Sequence, residues 1–415
     1  MRWMVAMRYF LAHKRQSLVC IAGVTISVMM FISMDAMMSG FRDKFIIETV
    51  ESSGHVQVND EPRETQTPIL ETVYKNKNAL LQLDRPKPRD VVKKIKNPEG
   101  LMKKIRALPG VVGVAPEVTG EAIVTYGTKH INVSILGVEP EQQVKVTTIA
   151  DDLVQGDFTK LRSTADGIII GRGVALVTGA KMGDIVTLAS STGGKNTARV
   201  VGIFSTGVTP VDYSRVYMLM NNAQTLLDKK NLINRLTIRL GNYEEAQAYA
   251  QQIESIAGYK TESWQETNEN FLKIFKIQDM ITYIITGALL VVAAFGVLNI
   301  LVMAVLERVN DIAILKSFGF SRGDITMIYL IQGAVIGLIG AVVGLIGGKL
   351  AIEGLRRIPV QVEGLIKAEG LLMSESARQY ITAFIAAMIV VILAAVYPAR
   401  RAARFDPVEV IRGAH

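Results

Sequence analysis

The chain has 415 residues, of which 49% are hydrophobic and 20% charged, and its 46 Lys and Arg against 38 Asp and Glu give a net charge of +8. Soluble proteins have about 25% charged residues, so this composition predicts a membrane protein. A single cysteine, Cys20, excludes an intrachain disulfide framework. The four histidines are scattered along the chain, which argues against a metal site.

Four apolar stretches reach the length of about 20 residues that a transmembrane helix needs. The first follows a basic segment but is too long for the apolar part of a signal peptide, so we interpret it as an uncleaved anchor. The predicted spans are residues 17–39, 280–306, 325–348 and 379–399.

Basic residues flank both ends of this set of spans. Arg2, Arg8 and Arg15 precede the first span, and Arg400 and Arg404 follow the fourth. Four spans place both termini on one side, which the positive-inside rule assigns to the cytoplasm. The predicted cytoplasmic segments are residues 1–16, 307–324 and 400–415, and the predicted outer segments are residues 40–272 and 349–378.

The large outer segment has a mixed α/β pattern. A strand–helix–strand order occurs near its start and again near its end, which predicts one α/β subdomain split between residues 40–118 and 222–272. Between them, residues 119–221 alternate apolar and polar residues between turn signals, as strands do. The predicted fold class is therefore an α-helical four-span transmembrane domain plus a large extracytoplasmic α/β domain with an inserted, mostly-β subdomain.

A basic, proline-rich arm interrupts the α/β pattern at residues 61–98. It holds five of the twelve prolines, a density that opposes regular structure. We interpret it as a solvated arm, with contact to anionic lipid headgroups or to an acidic partner as the alternative.

The sequence lacks the motifs of a nucleotide site. Gly193-Gly194-Lys195-Asn196 comes nearest to a phosphate-binding loop, but Ala189 stands where the first glycine should be and Asn196 replaces the Ser or Thr. We therefore expect no catalytic residues and no metal or cofactor in this chain. Asp35 is the charged residue inside a predicted span, near its outer end, where it either reaches the interface or makes a functional polar contact.

Two segments carry candidate functional residues. In the third span, glycines four residues apart allow another helix to approach closely; these are Gly333, Gly337, Gly340 and Gly344. After the second span, a short amphipathic cytoplasmic helix is predicted to end at Gly319, and such a helix can lie on a membrane or enter a groove of a partner. Its candidate contact residues are Glu307, Arg308, Asp311, Ile312, Ile314, Leu315, Lys316 and Phe318.

This segment and the C-terminal tail carry a resemblance to a known family. Glu307-Arg308-Val309-Asn310-Asp311-Ile312-Ala313-Ile314-Leu315-Lys316 and the tail from Tyr397-Pro398-Ala399 to Pro407, Glu409 and Arg412 resemble the MacB, FtsX and LolC/LolE permeases. Arg8-Tyr9 and Met38-Ser39-Gly40-Phe41 look most like the lipoprotein-releasing branch.

The resemblance implies a non-catalytic permease subunit of an ABC transporter in the bacterial inner membrane, with a porter-like periplasmic domain. Its implied partners are an ABC ATPase homodimer of the LolD or MacB type, which binds ATP and Mg²⁺, and a second permease copy or paralogue. The segment after the second span would be the coupling helix that enters the ATPase. If the cargo is a lipoprotein, the acyl chains would meet flexible side chains in the first span, namely Met30, Met34, Met37 and Met38.

Two other functions remain open within the family. One is MacB-like efflux with an adaptor and an outer-membrane channel, and the other is FtsX-like regulation of a cell-wall hydrolase. A periplasmic chaperone or adaptor is a further possible partner, although residues 190–197 form only a short turn where the chaperone-docking relative has a long hairpin. The methionines have a simpler interpretation as a lipid-facing or helix-packing stripe.

Overall fold

The structure is a computed structural model that describes residues 2–12, 14–62, 94–358, 361–362 and 368–405. Its helices are α1 Arg2–Ala12, α2 Lys14–Ser53, α3 Pro98–Arg106, α4 Pro140–Gln143, α5 Lys160–Ser163, α6 Arg172–Thr178, α7 Thr209–Ser214, α8 Met220–Leu226, α9 Ala246–Ala257, α10 Trp264–Thr267, α11 Glu269–Glu307, α12 Val309–Ser317, α13 Arg322–Arg356 and α14 Ala377–Arg404. Its strands are β1 Val56–Pro62, β2 Val111–Tyr126, β3 Lys129–Val138, β4 Leu153–Gly156, β5 Gly167–Gly171, β6 Ile185–Ser190, β7 Lys195–Phe204, β8 Arg215–Leu219, β9 Arg235–Leu240, β10 Tyr259–Ser263, β11 Gln361–Val362 and β12 Ala368–Glu369.

The chain divides into two compact units. The α/β unit is built from Phe45–Leu272, and the helical unit from Met1–Lys44, Lys273–Val362 and Ala368–His415. Within the described residues, four helices are long and apolar enough to cross a membrane, namely α2, α11, α13 and α14. The predicted fold class, four helical spans with a large α/β domain, is confirmed.

The four long helices extend beyond the predicted spans. They have 40, 39, 35 and 28 residues. The predicted spans are shorter because a hydropathy window detects the apolar centre of a helix and not its polar ends. Residues 349–356, which we predicted as the start of a loop, form the last turns of α13, where Ile352 is fully buried. Ser321 and Ser376 begin α13 and α14 with capping boxes, in which the serine hydroxyl accepts a backbone N–H of the first turn.

The α/β unit contains one large sheet with two hydrophobic cores. The strand order is β10-β1-β9-β2-β3-β8-β5-β7-β4, and β6 pairs with both β2 and β7, so the pairing returns to β2. The first core lies between α3, α9 and the strands β1, β9 and β10. The second core lies among the strands from β2 to β8, at the inserted β subdomain.

Strand β2 belongs to both cores. Its first half pairs with β9 and its second half pairs with β3 and β6. At the junction, the side chain of Asn234 accepts a hydrogen bond from the Thr119 N–H at 2.8 Å and donates one to the Thr119 carbonyl at 3.0 Å. Lys229 donates to the same carbonyl at 2.9 Å. These bonds fix the backbone where the chain passes from one core to the other.

Several predicted elements have close counterparts in the structure. The strand–helix–strand segments correspond to β1, α3 and β2 and to β9, α9 and β10, and Gly258 ends α9 in the left-handed conformation at φ +70°. Strand β8 was missed, because its five residues carry no alternation that separates them from neighbouring loops. Residues 63–93 of the predicted arm and residues 406–415 of the tail motif lie outside the described residues.

His55 gives the α/β unit a pH-dependent stability. It is buried, its Nδ1 accepts the Leu240 N–H at 3.1 Å, and its carbonyl accepts the Trp264 N–H at 2.9 Å. Burial, together with the nearby Arg239, lowers the pKa of His55 from 6.5 to about 4. Between these two pKa values, His55 is protonated in the unfolded chain and neutral in the folded unit. Stability is lost as the pH falls from 6.5 towards 4.

We expect a His55→Gln variant to lose less stability over this pH range than the wild type does. The measurement is urea unfolding of the detergent-solubilised chain, followed by Trp264 fluorescence in a Trp3→Phe background. His130→Gln, at an exposed histidine, is the control and should keep the wild-type pH dependence. Parallel pH curves for the wild type and His55→Gln would contradict the assignment.

Candidate functional site

The predicted coupling segment is a separate short helix at the end of α11. Helix α11 ends at Glu307, Arg308 leaves helical geometry at φ −119° and ψ 20°, and α12 follows. Gly319 then reverses the chain at φ +92°, a conformation that favours glycine. The break at Arg308 allows α12 to take a direction different from that of the span.

One face of α12 is packed inside the helical unit. Ile312 and Ala313 are each 1% exposed. They belong to a cluster contributed by α1, α11, α13 and α14, with Ala6, Val305, Ile325, Ile328, Tyr329, Ala399, Ala402 and Ala403. Helix α12 is therefore anchored to the bundle by apolar packing.

Helix α12 and the residues that flank it also present large apolar side chains to the surroundings. Phe318 is 81% exposed and Ile314 is 51% exposed. The acidic residues Glu307 and Asp311 are exposed as well. Exposed apolar side chains beside charged residues make this segment a candidate contact surface. These four residues can reach a partner.

Lys316 ties the coupling segment to the end of the fourth span. Its Nζ donates to the carbonyl oxygens of Ala403 and Phe405, both at 2.7 Å. A cation at this position satisfies carbonyls that lack a partner in the helix and interacts favourably with the helix dipole. A displacement of α12 would therefore also displace the C-terminal end of α14.

The eight residues predicted for partner contact thus separate into different environments. Glu307, Asp311, Ile314 and Phe318 are exposed, and Leu315 and Lys316 are half-buried. Arg308 and Ile312 are buried in this chain, at 9% and 1% exposure. The alternating pattern of charges gave no sign that Arg308 turns inward.

The glycines of α13 lie where other helices come closest. A Cβ at Gly333 would stand 2.6 Å from the Ala395 Cβ of α14. A Cβ at Gly340 or Gly344 would stand 2.8 or 2.7 Å from the Cβ of Val24 or Val28 on α2. The stripe therefore serves two neighbours, because Gly333 and Gly337 face α14 whereas Gly340 and Gly344 face α2.

The methionines of the first span share one side of α2, at spacings of four, three and one residues. Met30 is 50% exposed, and Met34, Met37 and Met38 are half-buried. Gln278 of α11 donates a hydrogen bond to the Met38 sulfur. The row therefore begins on an exposed surface and ends against α11.

Asp35 opens on a polar cavity of about 500 Å³ within the helical unit. Arg42 and Asp279 form an ion pair at its wall, with Nη1 and Oδ2 separated by 2.8 Å. Arg378 and Gln379 of α14 also line the cavity. The carboxylate of Asp35 thus has polar surroundings within an apolar helix.

The end of α2 is bonded to the β subdomain inside the α/β unit. The Glu51 carbonyl accepts the Thr148 N–H at 3.1 Å. Arg215 donates to the Ser52 carbonyl at 3.3 Å and to the Ser53 hydroxyl at 2.9 Å. The last carbonyls of the helix are thereby satisfied by residues of the sheet region.

Residues 193–196 do not have the geometry of a phosphate-binding loop. They turn the chain from β6 into its antiparallel neighbour β7, and the Ser190 N–H donates to the Gly194 carbonyl at 2.8 Å. A phosphate-binding loop instead leads from a strand into a helix, whose N-terminus faces the phosphates.

We expect Gly344→Leu to destabilise the helical unit, because its Cβ would also stand 3.0 Å from the Thr25 carbonyl oxygen on the backbone of α2. Overpacking of this kind costs about 1–3 kcal/mol. The measurement is the melting temperature in detergent, with Gly354→Leu on the same helix as the control, since no atom lies within 4 Å of its Cβ. Equal melting temperatures for the two variants would contradict the close packing.

Both the α/β unit and the helical unit of this chain are similar to known protein families. Residues 17–256 match the MacB-like periplasmic core domain, and residues 283–407 match the FtsX-like permease C-terminal region. The chain is 24% identical over 435 residues to the lipoprotein-releasing system transmembrane protein LolC of Xylella fastidiosa (strain Temecula1), covering 98% of each protein.

Two further relatives support this placement. LolC of Neisseria meningitidis serogroup B is 24% identical over 436 residues, again with 98% of each protein covered. The lipoprotein-releasing system transmembrane protein LolE of Haemophilus influenzae is 23% identical over 337 residues, covering 75% of this chain and 80% of the relative. The chain therefore belongs to the family of ABC transporter permeases that joins a MacB-like periplasmic core domain to an FtsX-like membrane domain, and it is most like the LolC/LolE branch.

Proposed function

We propose that this chain is the non-catalytic membrane subunit of an ABC complex that extracts lipoproteins from the outer leaflet of the bacterial inner membrane. The observation that carries the proposal is the similarity to LolC along 98% of both chains. Full-length correspondence includes the spans, the large domain and the coupling segment together. In this proposal the termini lie in the cytoplasm, as the basic residues at both ends favour.

The ATPase would dock on the exposed face of α12. Phe318 and Ile314 supply the apolar contact, and their large exposed area is the reason for choosing them. That partner would bind ATP and Mg²⁺ and would hydrolyse the ATP. The residues of this chain receive the movement, because Ile312 lies in the bundle cluster and Lys316 holds the end of α14.

The movement would reach the large domain through α2. This helix is continuous over 40 residues, about 60 Å at the usual rise, which is twice the thickness of the hydrocarbon core. Its last residues are bonded to Thr148 and Arg215 of the α/β unit. A tilt of α2 would therefore displace the β subdomain, which is mechanical transmission and not passage through a pore.

The acyl chains of the cargo would meet the methionine row of α2. Met30 is exposed in this chain, where a second permease copy or paralogue can complete an apolar gap. Unbranched thioether side chains adapt to irregular apolar shapes, which suits acyl chains of varied length.

The coupling proposal predicts that Ile314→Ser together with Phe318→Ser lowers the yield of copurified ATPase about tenfold. Both side chains are exposed, so the chain itself should fold normally. The measurement is quantitative mass spectrometry of proteins that copurify with the tagged chain in detergent. Met4→Ser, which changes an exposed apolar residue of α1, is the control. An undiminished ATPase yield would contradict this contact, and absence of any ATPase from the wild type would contradict the function.

The cargo proposal predicts a different loss in the same experiment. Replacing Met30, Met34 and Met37 by alanine should reduce copurified triacylated peptides several-fold and leave the ATPase yield unchanged, because the apolar volume beside the acyl chains is lost. Met303→Ala, on an exposed face of α11, is the control. Unchanged acylated peptides would contradict the acyl contact. If the wild-type chain copurified with an adaptor and without acylated peptides, efflux would be the favoured function. If it copurified with a cell-wall hydrolase and without acylated peptides, regulation of that hydrolase would be favoured.

A further inference from the structure

A cavity of about 620 Å³ lies between α1 and α12 in the helical unit. Its polar lining consists of Arg8, Tyr9, Arg308 and Asp311. Its apolar lining consists of Val5 of α1 and of Ile314 and Leu315 of α12. The cavity therefore separates the N-terminal helix from the coupling segment and offers both charged and apolar walls.

Arg308 is a buried cation that has no carboxylate at ion-pair distance among the residues the structure describes. It is 9% exposed, and its guanidinium carbon lies 4.0 Å from the centre of the Tyr9 ring. Among the described ion pairs, none includes Arg308, and Asp311 lines the same cavity without reaching ion-pair distance. Burial of a charge without a carboxylate at ion-pair distance is costly, and an anion in the cavity would lower that cost.

The cavity as a whole carries excess positive charge. Arg8 and Arg308 contribute two guanidinium groups and Asp311 contributes one carboxylate. Arginine presents a planar fork of donors that matches a phosphate, and stacking on an aromatic ring holds that fork in place. Arg308 on Tyr9 is thus oriented for an anion that enters the cavity.

The surroundings favour a lipid as the source of that anion. Helix α1 exposes Trp3 at 58% and Met4 at 70%. Large apolar side chains of this kind, on a helix with basic residues, are typical of helices that lie in the membrane interface. The apolar wall at Val5 and Leu315 can pack against the first carbons of an acyl chain.

We propose that this cavity binds a phosphate group, held by Arg308 and Arg8, and that the phosphodiester of an anionic membrane lipid supplies it. The bound lipid lies against both α1 and α12 and fixes the position of the coupling segment relative to the bundle. The cavity shares Ile314 with the exposed apolar pair Ile314 and Phe318, and it differs from that pair in its charged lining of Arg8, Arg308 and Asp311. The proposed site does not depend on the cargo of the transporter.

The test is native mass spectrometry of the full chain in detergent, titrated with phosphatidylglycerol or phosphatidylcholine. We expect phosphatidylglycerol to bind more tightly, and Arg308→Gln to weaken its binding about tenfold, the range of a lost charge-assisted pair. Arg8→Gln should weaken it about threefold, because Arg8 is exposed. Arg308→Lys keeps the charge but loses the fork, and should fall between Arg308→Gln and the wild type. Arg401→Gln, at an exposed arginine of α14, is the control with the same change of charge.

Competition with inorganic phosphate distinguishes the two sources of the anion. Binding of phosphatidylglycerol that depends on Arg308 and resists millimolar phosphate supports a lipid site. Displacement by phosphate supports a small-anion site at the same two arginines. Equal lipid binding by Arg308→Gln, Arg8→Gln and Arg401→Gln would overturn the proposal. The Arg8 variant keeps the test valid if Arg308→Gln fails to fold.

Discussion

The close approach of α13 to α2 and α14 is the contact on which the helical unit depends. Lipid offers no hydrophobic driving force for joining helices, so association relies on close packing and on polar bonds between them. Glycines at positions 340 and 344 allow this approach, and the Thr25 hydroxyl donates to the Gly340 carbonyl at 3.2 Å. Gly333 and Gly337 contact α14, whereas Gly340 and Gly344 contact α2. Helix α13 therefore holds together the first and the last of the four long helices.

A comparable constraint operates in the α/β unit, where one strand serves two cores. Val114 of β2 is buried in the first core and Val118 in the second. Asn234 and Lys229 both donate hydrogen bonds to the carbonyl of Thr119, the residue after Val118, and so fix the strand where it enters the second core. The two subdomains cannot shift independently without breaking the ladder, so a displacement applied at the end of α2 acts on the sheet as a whole.

Sequence reasoning identified elements whose signal is local and missed features that depend on tertiary packing. The glycine spacing predicted close helix contact, but it could not show that Gly333 meets α14 while Gly344 meets α2. The break after α11 and the turn at Gly319 followed from local residues. The inward turn of Arg308 did not, because only folding places the Tyr9 ring beneath its guanidinium. The ends of α2 were also missed, since a hydropathy window stops where polar residues begin.

Helix α12 has nine residues, too few for a helix to be stable through its own hydrogen bonds. Its position must therefore come from contacts with the rest of the unit. Ile312 supplies apolar burial, and Lys316 bonds the end of α14 at two carbonyls. A helix held in this way does not hinge freely at Arg308. A force on its exposed face passes instead into α14 and into the packed ends of α1 and α13, as the proposed coupling to a partner ATPase requires.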